Sequence, residues 1–239
     1  MPWTKPGKDS PMPPISDPLD MHAPYCHTVL IGVDEVGTGC IAGPVAAGAC
    51  ILDTNSFASQ LWARDSKSFS SMSARKQAWS KVRSESPHFV VTFTSLEEVY
   101  DMGPRRAADL AMARAVTTLL DSIHPQGDIL VVVDGTRRIP MPPGINQAPV
   151  RGADHKFLCV AAASMVAKIH RDDAMIHAAT EFRGYGLDAN KGYGTEEHYH
   201  GLARLGTSPI HRAYALTALR RWEAKRAPEG GSPEGEVLT

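Results

Sequence analysis

Two adjacent carboxylates, Asp34 and Glu35, close the apolar run Val29-Leu30-Ile31-Gly32-Val33, and the glycine-rich stretch Gly37-Thr38-Gly39 follows at once. A second apolar run, Ile129-Leu130-Val131-Val132-Val133, closes in the same way, on Asp134-Gly135. A buried strand that ends in acids delivers negative charge to the rim of a sheet, where open α/β folds place their ligands. Glycines beside it let a phosphate or sugar approach the backbone closely. A further acid comes from the stretch Ala161 to Asp173, in which Ser164, Lys168 and Asp172 recur every four residues and share one helix face. Clustered carboxylates repel one another unless cations are present, so the set points to bound metal. Magnesium suits oxygen ligands, and two such ions about 4 Å apart can activate a water and stabilise the leaving oxygen of a phosphodiester. Taken singly, Asp134 reads equally as a turn residue, and Asp172-Asp173 as a solvated helix face.

The elements that must position these acids follow from hydrophobic patterning. Val29 to Val33 reads as a strand, Val45 to Leu52 as its hairpin partner, and Phe89 to Thr94 as a third strand. Ile129 to Val133 is a continuous apolar run of the kind a central strand shows. Ser73 to Ser84, Arg106 to Leu120 and Cys159 to Thr180 read as helices, and the small residues Ala161-Ala162-Ala163 would let the last press closely on a sheet. Strands followed by helices indicate an α/β class with a mixed sheet. Asp34 and Asp134 then occupy equivalent places, and neighbouring central strands bring them to one sheet edge. Glu35 points away from Asp34 if the strand continues, and joins it if the chain turns at Gly37.

The chain of 239 residues is long enough for one substantial core. Hydrophobic residues make up 43% and charged residues 21%, ordinary for a globular domain, and no apolar run approaches the roughly 20 residues that span a bilayer. The N-terminal stretch lacks the apolar core of a signal peptide, so a cytoplasmic protein is expected. Cys26, Cys40, Cys50 and Cys159 show no metal-site spacing and read as reduced thiols. Residues 1–24 hold seven prolines and read as a flexible tail, as do residues 227–239, leaving residues 25–226 as the catalytic domain. The formal charge of −1 argues against a uniformly basic nucleic-acid binder. Basic residues do cluster between Arg64 and Arg83 and again at Arg212, Arg220, Arg221, Lys225 and Arg226, where a solvated helix face is the alternative.

Four blocks, in order, resemble ribonuclease HII, the type 2 ribonuclease H of bacteria. They are Gly32 to Gly39 with Ala42 to Val45; Asp65-Ser66-Lys67; Val133-Asp134-Gly135; and Ala161 to Lys168 with Arg171-Asp172, continuing through Lys191-Gly192-Tyr193-Gly194-Thr195, His198 and Ser208 to Arg212. The resemblance implies an RNase H-like fold, a mixed central sheet flanked by helices with a C-terminal helical part. It implies cleavage of the RNA strand of RNA–DNA hybrids, and cutting at ribonucleotides embedded in duplex DNA, with Mg²⁺ or Mn²⁺. The roles in primer removal and ribonucleotide excision come with it. It assigns the metal-binding acids to Asp34, Glu35, Asp134 and Asp172, with Asp173 a bystander. It assigns substrate contacts to Gly37, Thr38, Gly39, Lys67 and Tyr193, the first three reading the 2′-hydroxyl and the tyrosine stacking on the adjoining sugar. His211-Arg212 reads as a structural anchor. A monomer without membrane partners is expected.

Two positions depart from the pattern. Thr38 stands where relatives carry arginine, which removes a cation able to meet a backbone phosphate. Cys40 stands where relatives often carry proline. Residues 235–239 lack the Gln-plus-aromatic pattern of a clamp-binding peptide. A binding protein of the same fold is the competing reading, and it has no need of four retained acids. A DNA-resolving nuclease is a third, against which the Lys-Gly-Tyr-Gly block stands.

Overall fold

A computed structural model of the chain describes residues 28–51, 73, 77, 80, 88–125 and 127–226. Lys67 and its neighbours Asp65 and Ser66, both terminal tails and most of the basic stretch between Arg64 and Arg83 lie outside the described residues. Of the helix expected over Ser73 to Ser84, only Ser73, Gln77 and Ser80 are described, and all three are helical.

Five strands, β1 (Thr28–Val36), β2 (Ala46–Ile51), β3 (His88–Phe93), β4 (Asp128–Asp134) and β5 (Asn146–Val150), form one mixed sheet in the order β3-β2-β1-β4-β5. β2 pairs antiparallel with β1 and β3, whereas β4 runs parallel to both β1 and β5. The central pair is buried on both faces, which is why β1 and β4 read as unbroken apolar runs. On one face Ile31, Val33, Val131 and Val133 pack against Ala111, Val116 and Leu119 of helix α1 (Leu96–Ile123). On the other, Leu30 and Val132 pack with Val160 of helix α2 (Leu158–Glu181). Burying each such Ile, Leu or Val side chain stabilises the fold by roughly 1.5–3 kcal/mol.

The α2 face is built for close approach. A Cβ at Gly32 would overlap the backbone of Cys159 and Val160, and one at Gly48 would overlap the Ala163 carbonyl. The run Ala161-Ala162-Ala163 keeps the helix side equally thin.

Two elements differ from the sequence reading. Helix α1 begins at Leu96, not near Arg106, because Ser95 and Glu98 form a capping box that starts an earlier segment. Gly103, at φ 79°, breaks the helical path, and Pro104 opens the second part, where its missing N–H costs little. Strand β5 carries Pro149, which argues against a strand unless it lies at an edge, and β5 is an edge.

After α2 the chain forms three shorter helices, α3 (Leu187–Asn190), α4 (Glu196–Leu205) and α5 (Ala215–Ala224). Their core, including Leu187, Leu202, Ile210 and Leu219, also takes in Ile41 from the turn after β1. Among the described residues no helix is long and apolar enough to cross a membrane.

Candidate active site

β1 and β4 run parallel with Val33 beside Val133, so the next residues, Asp34 and Asp134, emerge together at one edge of the sheet. Strand alternation puts both on the α2 side, in line with Leu30 and Val132. Asp34 is buried, accepts the Glu35 backbone N–H at 2.7 Å and is hydrogen-bonded by Ser164 of α2. Burial pushes its carboxyl up to about 8; the Ser164 bond opposes this, and the charges of Glu35 and Asp134 push it further up.

The strand continues through Val36, so Glu35 takes the opposite face, the alternative that the sequence left open. It lines a cleft of about 280 Å³ with Asp134 and with Asp109 and Met112 of α1. Its pKa is raised, first by burial and then by Asp134 and Asp109.

Asp134 Oδ1 accepts the backbone N–H of Ala153 at 2.6 Å. That bond fastens a 3₁₀ turn, Ala153–His155, to the end of β4, and Asp154 is the next residue of that turn. The Asp154 side chain is 32% exposed, and His155 Nδ1 lies 3.7 Å from its carboxylate. The helical and strand patterns of the sequence do not single out Asp154. Its only local signal is the turn at Gly152, which adopts φ 65° just after β5.

Asp172 lies deeper along α2. Its side chain is 5% exposed and accepts from Lys168 Nζ at 2.6 Å. The shared face of Ser164, Lys168 and Asp172 is therefore real, but its members divide: Ser164 serves Asp34, whereas Lys168 serves Asp172. Lys168 Nζ also stands 5.5 Å from the centre of the Tyr193 ring.

The glycine turn and the Tyr193 loop are held by two arginines. Arg171, fully buried, donates to the carbonyls of Pro44, Lys191 and Ala42 at 2.9, 2.9 and 3.3 Å. Arg212 donates to the carbonyls of Gly37, Gly43 and Thr38 at 2.7, 2.9 and 3.1 Å. Gly37 sits at φ 94°, and a Cβ there would collide with the Arg171 side chain. At Gly39 no atom of the described residues beyond its chain neighbours lies within 4 Å of where a Cβ would stand, so on this side the turn is open among the described residues. The anchor expected at His211-Arg212 thus acts on the glycine turn itself. Arg171 was seen in the sequence only as part of a block; nothing local marks an arginine that will be buried on three carbonyls.

Tyr193 is 38% exposed, and burial of the rest of the ring raises its hydroxyl pKa. Its carbonyl meets His198 Nδ1 at 2.9 Å, and its hydroxyl is hydrogen-bonded with the Cys40 thiol. His198 Nε2 in turn meets His211 Nε2 at 3.1 Å. A chain of contacts therefore runs from the Ser208–Arg212 segment to the exposed tyrosine.

Among the described residues no three His, Cys, Asp or Glu side chains converge in a metal-holding group as they stand. The donor set still suits a hard divalent cation. Asp34, Glu35 and Asp134 offer only oxygen, and the charged neighbours acting on Asp34 and Glu35 are all acidic.

The sequence profile of a family described as Ribonuclease HII matches residues 31–218. The ribonuclease HII of Rhodospirillum rubrum is 41% identical over 191 residues, covering 79% of this chain and 84% of its own length. That of Prochlorococcus marinus is 36% identical, covering 81% of this chain and 97% of its own. Among solved structures, ribonuclease H2 from Pyrococcus horikoshii superposes with a TM-score of 0.62 at 20% identity, covering 83% of this chain and 99% of its own. Bst-RNase HIII in complex with Mn²⁺ gives 0.61 at 20% identity, over 82% and 71%. These structures share the RNase H-like fold with the chain described above.

Proposed function

Since this chain belongs to the ribonuclease HII family, and is therefore a ribonuclease H endonuclease, we propose that it hydrolyses the RNA strand of RNA–DNA hybrids and also cuts at single ribonucleotides embedded in duplex DNA. The observation that carries the reading is the meeting of Asp34, Glu35 and Asp134 at the end of the parallel β1–β4 pair, beside the turn Gly37-Thr38-Gly39. Divalent cations, Mg²⁺ or Mn²⁺, would be held by these carboxylates, two of them supplying activation of the attacking water and stabilisation of the departing oxygen.

Each of the site residues then has a task. Asp34 and Asp134, on one face of the sheet, and Glu35, on the other, straddle the rim where a phosphodiester must lie. Burial keeps Asp34 poised to exchange a proton for a cation. Asp172 completes the set in the family pattern, and Asp154, tied to Asp134 through the Ala153 amide, is the second candidate for that place. The open side of the glycine turn faces the 2′-hydroxyl, the one group that distinguishes RNA from DNA at a given nucleotide. Tyr193 presents a half-exposed ring for the adjoining sugar. Lys67, in the block that matches the family, contacts a phosphate. The protein acts as a monomer in the cytoplasm, in primer removal and ribonucleotide excision.

The test is cleavage of an end-labelled DNA duplex carrying one ribonucleotide, beside an RNA–DNA hybrid and an all-DNA control, each with Mg²⁺, Mn²⁺ or EDTA. Metal-dependent cutting on the 5′ side of the ribonucleotide supports the full proposal. Cutting of the long hybrid alone would mean that Thr38 has cost junction recognition. No cutting with either metal would leave a binding protein of the same fold.

A further inference from the structure

The cleft between α1 and the β4–β5 edge holds charges that the catalytic set leaves unused. Three acids line it, Glu35, Asp109 and Asp134, and three arginines, Arg105, Arg137 and Arg151. Arg137 and Asp109 neutralise one another at 2.9 Å. Arg105 and Arg151 are exposed, and neither side chain has a hydrogen-bond or ion-pair partner among the described residues. Two free guanidinium groups beside two acids in one cleft are formally balanced. Once a divalent cation is held on Glu35 and Asp134, the same cleft becomes cationic and matched to a polyanion.

Arg105 stands just past Pro104, in the first turn of the second part of α1, and Arg151 directly follows β5. The two thus approach the cleft from different elements, Arg105 from a helix packed on the sheet and Arg151 from the turn after its edge strand. Thr38 lines this cleft as well. An arginine at position 38 would therefore place its charge in the space that Arg105 and Arg151 already border. Position 38 itself carries no charge, and two guanidinium groups without a partner among the described residues border the same cavity.

We propose that Arg105 and Arg151 grip substrate phosphates on either side of the scissile linkage, and that together they stand in for the cation absent at Thr38. This rests on the reading of the cleft as the hybrid-cleaving site. Guanidinium groups suit the task because they donate two parallel N–H bonds to a phosphate and remain charged at every working pH. Contacts of this kind hold the backbone in place and leave sequence unread.

The experiment measures binding of a fluorescent duplex with one embedded ribonucleotide by anisotropy, with Ca²⁺ in place of Mg²⁺, across a series of salt concentrations. Arg105→Ala and Arg151→Ala should each weaken binding by about 5- to 10-fold and flatten the logarithmic salt slope by about 1, as expected for one lost phosphate contact. KM should rise in parallel, with kcat held within about 2-fold because no reacting atom is touched. Arg106→Ala, also exposed but outside the cleft, is the matched control and should bind as the parent does. Thr38→Arg should restore most of the affinity lost in Arg105→Ala. Binding by Arg105→Ala and Arg151→Ala that equals that of Arg106→Ala overturns the proposal, as does failure of Thr38→Arg to rescue. If the parent protein itself neither binds nor cuts either hybrid, the functional reading falls first and the grip falls with it.

Discussion

Arg212 donates to the carbonyl oxygen of Gly37 at 2.7 Å, across 175 residues of sequence. The same guanidinium reaches Thr38 and Gly43, so one side chain from the C-terminal part fixes the turn that follows Asp34 and Glu35. The shape of that turn is a tertiary property. Its glycines permit the conformation, and Arg212 together with Arg171 selects it.

Arg212→Ala removes a donor from three carbonyls, of which Gly37 keeps, among the described residues, only the Cys40 N–H at 3.3 Å, in a buried setting where an unmet polar group costs about 1–3 kcal/mol. The variant should lose about 3 kcal/mol of stability in urea unfolding, with KM raised more than kcat is lowered. Arg212→Lys cannot reach three acceptors in a fork and should recover only part of this. A variant as stable as the parent would show that the turn holds itself.

Asp134→Asn should abolish cleavage while leaving hybrid binding within about 3-fold, because the residue serves the reacting centre more than the substrate backbone. The same substitution at the two candidates for the fourth carboxylate separates them. If Asp172 is the ligand, Asp172→Asn raises the metal concentration needed for half-maximal rate and Asp154→Asn does not. If Asp154 is, the pattern reverses, and Asp172→Asn acts through its bond to Lys168 as a loss of stability. Metal titrations of rate, read beside unfolding curves, distinguish the two.

The buried Asp34 makes the metal-free protein sensitive to pH in a definite direction. Its carboxyl titrates near 3.8 in the unfolded chain and at about 8 in the fold, so between these values the fold retains a proton that the unfolded chain has released. Stability from this group therefore falls as pH rises through that window and levels off above about 8. In EDTA, Asp34→Asn should gain on the parent in denaturant midpoint between about pH 6 and about pH 8. Metal affinity should rise over the same interval, because the proton must leave before the ion binds. Parallel midpoints for the two proteins would mean that Asp34 is already ionised in the fold.

Thr38→Arg adds a cation to a cleft that already carries Arg105 and Arg151. At matched salt it should tighten hybrid binding by about 5-fold and steepen the salt dependence by about one phosphate contact. Equal affinity for the two proteins would sink the view that Thr38 weakens the substrate grip.

Much of this site was legible in the sequence. Val29–Val33 and Ile129–Val133 declare themselves as central strands, because burial on both faces demands unbroken apolar side chains. An acid directly after each such run must sit at the sheet edge. The face shared by Ser164, Lys168 and Asp172 follows from helical periodicity, and the thin, Ala-rich side of α2 from its composition. The early start of α1 was legible too, in Ser95 and Glu98, but the stronger Ala-rich period after Pro104 masks it.

What the sequence determined by itself, then, is whatever obeys a local period or a local stop: the two acid-tipped strands, the long helix and the permissive glycines. Tertiary structure alone decided the face taken by Glu35, the pairing of Asp172 with Lys168 and the bond of the Ala153 amide to Asp134. It also decided the burial of Arg171 and Arg212 on backbone carbonyls, and the gathering of Arg105, Arg151 and Thr38 around one cleft. The physical reason is common to all of these. Each depends on groups distant in the chain meeting in low dielectric, where an unpaired carbonyl or carboxylate is costly, and no spacing rule encodes which distant partner will meet that need.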